Sequence, residues 1–218
     1  MKPKVVHHKF PEDQYYTEKT EKKQIVLHHT VSGQKPNGDI DWWKQTAARI
    51  ATCIIVSRDG TIHTLYSSEH WAHHLGIKSW IFKKLNIPSY GTNKKLNKAA
   101  IGVELDSWGG LIKRNDKFYG TGNKEIHPDK VIDYGRSIRG FRYYEKYTEK
   151  QIDSVKYLLE YWHEKYKIPI DYNPKMWELN EDALKGKRGI WTHVSFRPDK
   201  SDLHPFPPLI EMLKSLSK

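Results

Sequence analysis

The run Gln-Ile-Val-Leu-His-His at Gln24–His29 constrains this chain more than any other short stretch. It is apolar on both faces until it reaches histidine, and such a run suits a central strand covered on both sides. Ile-Gly-Val-Glu-Leu at 101–105 is a second strand. Alternation there puts Ile101, Val103 and Leu105 on one face and Gly102 and Glu104 on the other. Gly-Ile-Trp-Thr-His at 189–193 is a third short strand, and it also ends on histidine. Between the first two, Cys53–Ser57 and Thr61–Tyr66 flank Arg58-Asp59-Gly60. That is a hairpin signal, because glycine accepts the positive φ of the turn.

Helical periodicity accompanies the strands. Ile40, Trp43, Ala47 and Ile50 predict a helix over Asp39–Ala51. Thr148-Glu149-Lys150-Gln151 is a capping-box pattern. It opens a helix whose face carries Ile152, Val155, Leu158, Leu159, Trp162 and Tyr166 and which ends before Pro169. From Pro207 the tail is a helix with Leu209, Ile210, Leu213 and Leu216 turned inward. Residues 1–23 are expected to be an extended lead-in, and 106–147 and 170–188 irregular excursions over the surface. No internal repeat or linker divides the chain. The expectation is one α/β domain over 24–218, with a central mixed sheet flanked by helices.

The 218 residues suffice for one substantial core. A net charge of +11 favours partners that carry negative charge: nucleic acid, an anionic membrane surface, or the teichoic acids and carboxylates of a cell wall. Charge does not choose among them. No nucleic-acid motif is present, so no nucleic-acid partner is expected. Cys53 is the only cysteine, which excludes an intramolecular disulfide and a cysteine-rich zinc module; a packing role is expected for it. The start of the chain lacks the apolar run of a secretory signal, and no stretch is long enough to span a membrane. Synthesis in the cytoplasm and a monomeric state are expected.

Three features point to chemistry. His28 ends one strand, His193 ends another and is followed by Asp202, and Glu104 projects from the polar face of a third. Two imidazoles and a carboxylate are a sufficient set for a catalytic zinc, with a further carboxylate as base. Spacing leaves the alternative open that His28 is a satisfied core histidine and Asp202 a cap.

Ile-Val-Leu-His-His-Thr-Val-Ser-Gly at 25–33, the hairpin at 53–66, His-Trp-Ala-His-His-Leu-Gly at 70–76, Asn-Lys-Ala-Ala-Ile-Gly-Val-Glu-Leu-Asp at 97–106 and the segment 191–205 occur in an order that resembles the type 2 N-acetylmuramoyl-L-alanine amidases. That family includes phage endolysins, anhydromuramyl amidases and peptidoglycan recognition proteins. The resemblance implies zinc bound by His28, His193 and Asp202, with His29 pointing away as a structural residue. It further implies Glu104 as general base, Lys200 as stabiliser of the oxyanion, and His74 lining the substrate groove. Where many members carry a catalytic tyrosine this chain has Thr52, which places more weight on Glu104. Thr52 and Trp71 are expected beside the substrate, with Trp80 and Trp108 near the groove, whereas Trp42, Trp43 and Trp162 are expected in the core. The implied reaction is cleavage of the bond between N-acetylmuramic acid and L-alanine in peptidoglycan. The setting is a phage-type endolysin or, alternatively, a cytosolic recycling enzyme. A non-catalytic receptor and a zinc peptidase are the rival functions.

Overall fold

The computed structural model describes residues 2–33, 35–89 and 91–217. Its strands are β1 (Val5–His7), β2 (Gln24–His29), β3 (Ile54–Val56), β4 (Ile62–Thr64), β5 (Ala100–Leu105), β6 (Gly110–Arg114), β7 (Lys117–Tyr119), β8 (Glu125–Ile126), β9 (Val131–Ile138), β10 (Phe141–Glu145) and β11 (Gly189–Thr192). The helices are α1 (Asn37–Gln45), α2 (Ser79–Lys84), α3 (Thr92–Ala99), α4 (Glu149–Tyr166), α5 (Glu181–Leu184) and α6 (Pro207–Leu216).

β2 is central, as its apolar run requires. It lies between β5 and β11 in a mixed sheet of order β1-β4-β3-β5-β2-β11. Ile25, Val26 and Leu27 are wholly buried. β5 and β11 both pair parallel to β2, and β3 and β4 form the predicted antiparallel hairpin, with Gly60 at φ +83 in its turn.

The sheet's two faces have different fates. On one, α4 and α6 share the large core with Ile25, Leu27, Ile101, Val103 and Leu105. α4 begins at the predicted capping box, where Thr148 and Gln151 satisfy each other's backbone N–H groups. Cys53 is 2% exposed in this core, as a packing residue should be. The other face carries a smaller cluster of Ile40, Trp43, Ala51, Ile55, Leu65 and Ala72. Ile55 is the register partner of Glu104, so Glu104 belongs to this second, less crowded face.

Several expectations need correction. The stretch 106–147 is not irregular: it forms a second, antiparallel sheet of order β8-β7-β6-β10-β9. Its hairpins turn on Asn115-Asp116 (φ 47 and 60) and Arg139-Gly140 (φ 50 and 90). Two consecutive positive φ values suit a tight hairpin turn, and Asn, Asp and Gly tolerate them best. Leu111, Ile126 and Tyr144 anchor this sheet below, while most of its other side chains meet solvent. The lead-in is not wholly extended coil either, since β1 pairs parallel to β4. The helix predicted for Asp39–Ala51 stops at Gln45; the chain then turns through Arg49 (φ 51), and Ile50 bridges to His73. Trp42, expected in the core, is 57% exposed. Within 170–188 the chain makes a short 3-10 turn at Pro174–Trp177 and then α5, capped by Asn180 Oδ1.

Candidate active site

His28 and Glu104 occupy matching positions on the adjacent parallel strands β2 and β5, so their side chains leave the same face of the sheet. His193 follows β11 directly, in a 3-10 turn where the Thr192 hydroxyl and Ser195 cap each other. The three parallel strands therefore deliver one side chain each, from at or beside their carboxyl ends, to one place, the edge of an α/β sheet where binding crevices form. Asp202 comes in on the loop beyond, and its peptide carbonyl accepts from Val194 N–H at 3.2 Å.

A pocket of ≈ 430 Å³ brings together His28, Thr52, His74, Glu104, His193, Lys200 and Asp202, with Trp43 and Ala51 forming part of its wall. Of the residues expected at the site, Trp71 is the exception. It is 2% exposed, its ring stacks on Tyr16 at 3.8 Å, and its indole N–H donates to Glu18 at 3.3 Å. The lead-in that covers it could not be placed from its own sequence. Trp80, 49% exposed on α2, and Trp108, against Gly33 and Gly120, do not line the pocket. His29 points to the opposite face, where its Nδ1 lies 2.8 Å from the Tyr147 hydroxyl.

The centre of the pocket is a cluster of three buried donors. His28 Nδ1 lies 3.0 Å from His193 Nδ1 and 3.2 Å from Asp202 Oδ2, and His193 Nδ1 is 2.7 Å from the same oxygen. All three donor atoms fall within 4.8 Å of one another. The outer nitrogens are occupied. His193 Nε2 donates to the Leu75 carbonyl at 2.9 Å, so Nδ1 is the nitrogen turned toward Asp202. His28 Nε2 meets His74 Nδ1 at 3.0 Å. Imidazoles held from behind with their remaining nitrogens converging on a carboxylate are the arrangement of metal ligands.

Electrostatics agree. Burial, with His193 adding to it, pushes the His28 imidazole down to about 4, against the pull of Asp202. Burial alone would raise Asp202, but His193 and His28 outweigh it and hold the carboxyl well below the usual range. At neutral pH the set thus offers a neutral imidazole and a carboxylate as free donors, the state a metal requires. Two nitrogens and one oxygen at this spacing fit a divalent transition ion with positions left open.

Glu104 stands apart from the ligand cluster. Its Oε2 is buried without a hydrogen-bond partner among the described residues, and burial, reinforced by Asp202 and Asp39, raises its carboxyl well above the ordinary value. A half-buried glutamate with one carboxyl oxygen buried and unpaired in a pocket is what proton transfer calls for and what stability disfavours. Gly102 lies on the same face. A Cβ there would come 2.7 Å from Thr52 Cγ2 and 3.0 Å from His74 Nδ1, so only glycine admits these side chains. Thr52 itself donates its hydroxyl to the Ile54 carbonyl at 3.0 Å. Asn97, fully buried behind His74, carried no sequence signal and was not expected here.

Comparison with known proteins follows the same line. No match was found among curated proteins. In solved structures, the N-acetylmuramoyl-L-alanine amidase LysC from Clostridium intestinale URNW is similar at 16% identity and a TM-score of 0.52, covering 98% of this chain and 96% of that one. A mutant endolysin from Bacillus subtilis is similar at 12% identity and a TM-score of 0.54, covering 99% of each chain. PlyL is similar at 14% identity and 0.52, covering 100% of each. At such identities the likeness establishes the fold. The sequence profile of the N-acetylmuramoyl-L-alanine amidases matches residues 18–205, a span that runs from before β2 to beyond Asp202, and the chain therefore belongs to that amidase family.

Proposed function

We propose that this amidase is zinc-dependent, hydrolyses the bond between N-acetylmuramic acid and L-alanine in peptidoglycan, and serves as a phage-type endolysin. The observation that carries the reading is the convergence of His28, His193 and Asp202 beside the unpartnered carboxyl of Glu104. Zinc held by those three residues would polarise the amide carbonyl and lower the pKa of water toward neutrality.

The remaining work falls to the chain's own side chains. Glu104, with no competing partner at Oε2, takes the proton of the attacking water and passes it to the leaving L-alanine nitrogen. Its raised affinity for a proton suits both halves of that transfer. Lys200, on the same pocket, places a positive charge where the oxyanion develops. If His28 Nε2–H donates to His74 Nδ1, then His74 carries its proton on Nε2. That atom is buried and has no hydrogen-bond partner among the described residues. Thr52, its hydroxyl spent on backbone, is neither acid nor base, which leaves Glu104 the only free carboxyl on the pocket wall.

Lysis is favoured over recycling by the net charge of +11, which suits an intact anionic wall. No helix among the described residues is long and apolar enough to cross a membrane. The test is mass spectrometry of purified peptidoglycan incubated with the protein, its chelator-treated form and Glu104→Ala. Stem peptides with free N-terminal L-alanine and intact glycan, released only by the zinc-loaded native chain, support the reading. Cuts within the peptide would make it a peptidase; binding to wall without release would make it a receptor.

A further inference from the structure

His28 and His193 reach the pocket from different strands, yet consecutive residues hold their outer nitrogens. The His74 ring meets His28 Nε2 at 3.0 Å, and the Leu75 carbonyl accepts from His193 Nε2 at 2.9 Å. His74 and Leu75 lie in no helix or strand, so no ladder sets their position. One side chain does. Asn97 Oδ1 accepts from both their backbone N–H groups, at 2.8 Å from His74 and 3.1 Å from Leu75.

Asn97 is fully buried on α3, and its amide is used completely. Nδ2 donates to the Asn93 carbonyl at 2.7 Å and to Asn93 Oδ1 at 3.2 Å. Asn93 Oδ1 also accepts from Ile77 N–H at 3.2 Å, so the two asparagines tie down the loop on both sides of Gly76. α3 runs straight into β5, which carries Glu104. A single helix-strand unit thus bears the proposed base and fixes the backs of both imidazoles.

We propose that Asn97 is the positioning residue of the metal centre: it holds the His74–Leu75 segment, and through that segment aims Nδ1 of His28 and His193 at a common point. The inference rests on the zinc-amidase reading. An imidazole free to turn about its side-chain bonds loses the shared focus, and outer partners of metal ligands typically govern affinity by roughly 10–100-fold. The requirement at position 97 is for one oxygen that accepts from two consecutive N–H groups, with an Nδ2 that donates to Asn93 behind it. Aspartate keeps the acceptor and loses those donors; alanine leaves both buried backbone donors without a partner as well.

The test uses the full chain. Zinc affinity is measured by competition with a chromogenic chelator, and ligand geometry from the visible absorption bands of the cobalt-substituted protein, neither needing substrate. Asn97→Ala should weaken zinc binding by roughly 10–100-fold and shift the cobalt bands, while Asn97→Asp, which keeps the acceptor for both N–H groups, should weaken it less. If Asn97→Ala does not fold, Asn93→Ala decides: it removes only the outer part of the brace and should weaken zinc in a chain that stays folded. Wild-type zinc affinity and cobalt spectrum in a folded Asn97→Ala, or in Asn93→Ala where that variant decides, would overturn the proposal. A native chain that binds no zinc would instead overturn the zinc reading, and this inference with it.

Discussion

Replacing Glu104 by alanine should abolish catalysis and at the same time stabilise the protein. Removing a positioned general base costs typically 10²–10⁴-fold in rate. The stability effect has the opposite sign because Glu104 Oε2 is buried with no partner. A buried polar group left unsatisfied costs about 1–3 kcal/mol, and its removal opens onto an existing pocket rather than a sealed void. For a domain of this size 1 kcal/mol moves Tm by about 2–4 °C, so a rise of roughly 2–12 °C is expected near pH 7.5. The pH dependence follows from the direction of the shift. The folded chain holds the Glu104 proton more tightly than the unfolded chain does, because of burial and the nearby Asp202 and Asp39. That preference favours folding fully below the unfolded value of 4.5 and is lost as pH rises toward the folded one. The advantage of Glu104→Ala should therefore grow with pH above about 4.5. Scanning calorimetry of metal-free native and variant protein from pH 4 to 8, beside turbidity clearance of cell walls, measures both halves. A variant that melts below the native protein at pH 7.5, or an advantage that shrinks with rising pH, would refute the account of Glu104 as a strained, unpartnered carboxyl.

Gly102→Ala drives a methyl to 2.7 Å from Thr52 Cγ2 and 3.0 Å from His74 Nδ1. It should cost about 1–3 kcal/mol in denaturant titration and depress activity by displacing His74. Asp202→Ala leaves two imidazoles without their shared carboxylate, so zinc affinity should fall by more than the roughly 100-fold upper range of an outer partner, read by chelator competition. Leu159→Ala, in the wholly buried face of α4, should destabilise by about 2–5 kcal/mol, while zinc affinity measured well below its Tm stays native. Chelation should inactivate the enzyme reversibly, with activity returning in proportion to added zinc.

What was legible in the sequence is what local physics encodes. The doubly apolar run of β2, the alternation of β5, the turn at Gly60 and the capping box of α4 each follow from a few neighbouring residues, and each stands where expected. The second sheet escaped because its strands are short, half exposed and interspersed with Lys and Arg, so their alternation is weak. Asn115-Asp116 and Arg139-Gly140 marked two of its hairpins. The motifs singled out His28, Glu104, His193 and Asp202, but spacing alone could not bring them together: His28 and Asp202 lie 174 residues apart and meet at 3.2 Å. That meeting depends on β5 and β11 both pairing parallel to β2, and parallel neighbours are joined through long crossovers whose pairing is settled by the packing of the whole sheet. The same holds for Trp71, claimed by Tyr16 from a segment that reads as coil, and for Asn97, whose role exists only once α3 lies behind the His74–Leu75 loop. Local sequence determined which elements form and which side chains could act; tertiary packing decided which of them face one another, because that depends on contacts between residues far apart in the chain.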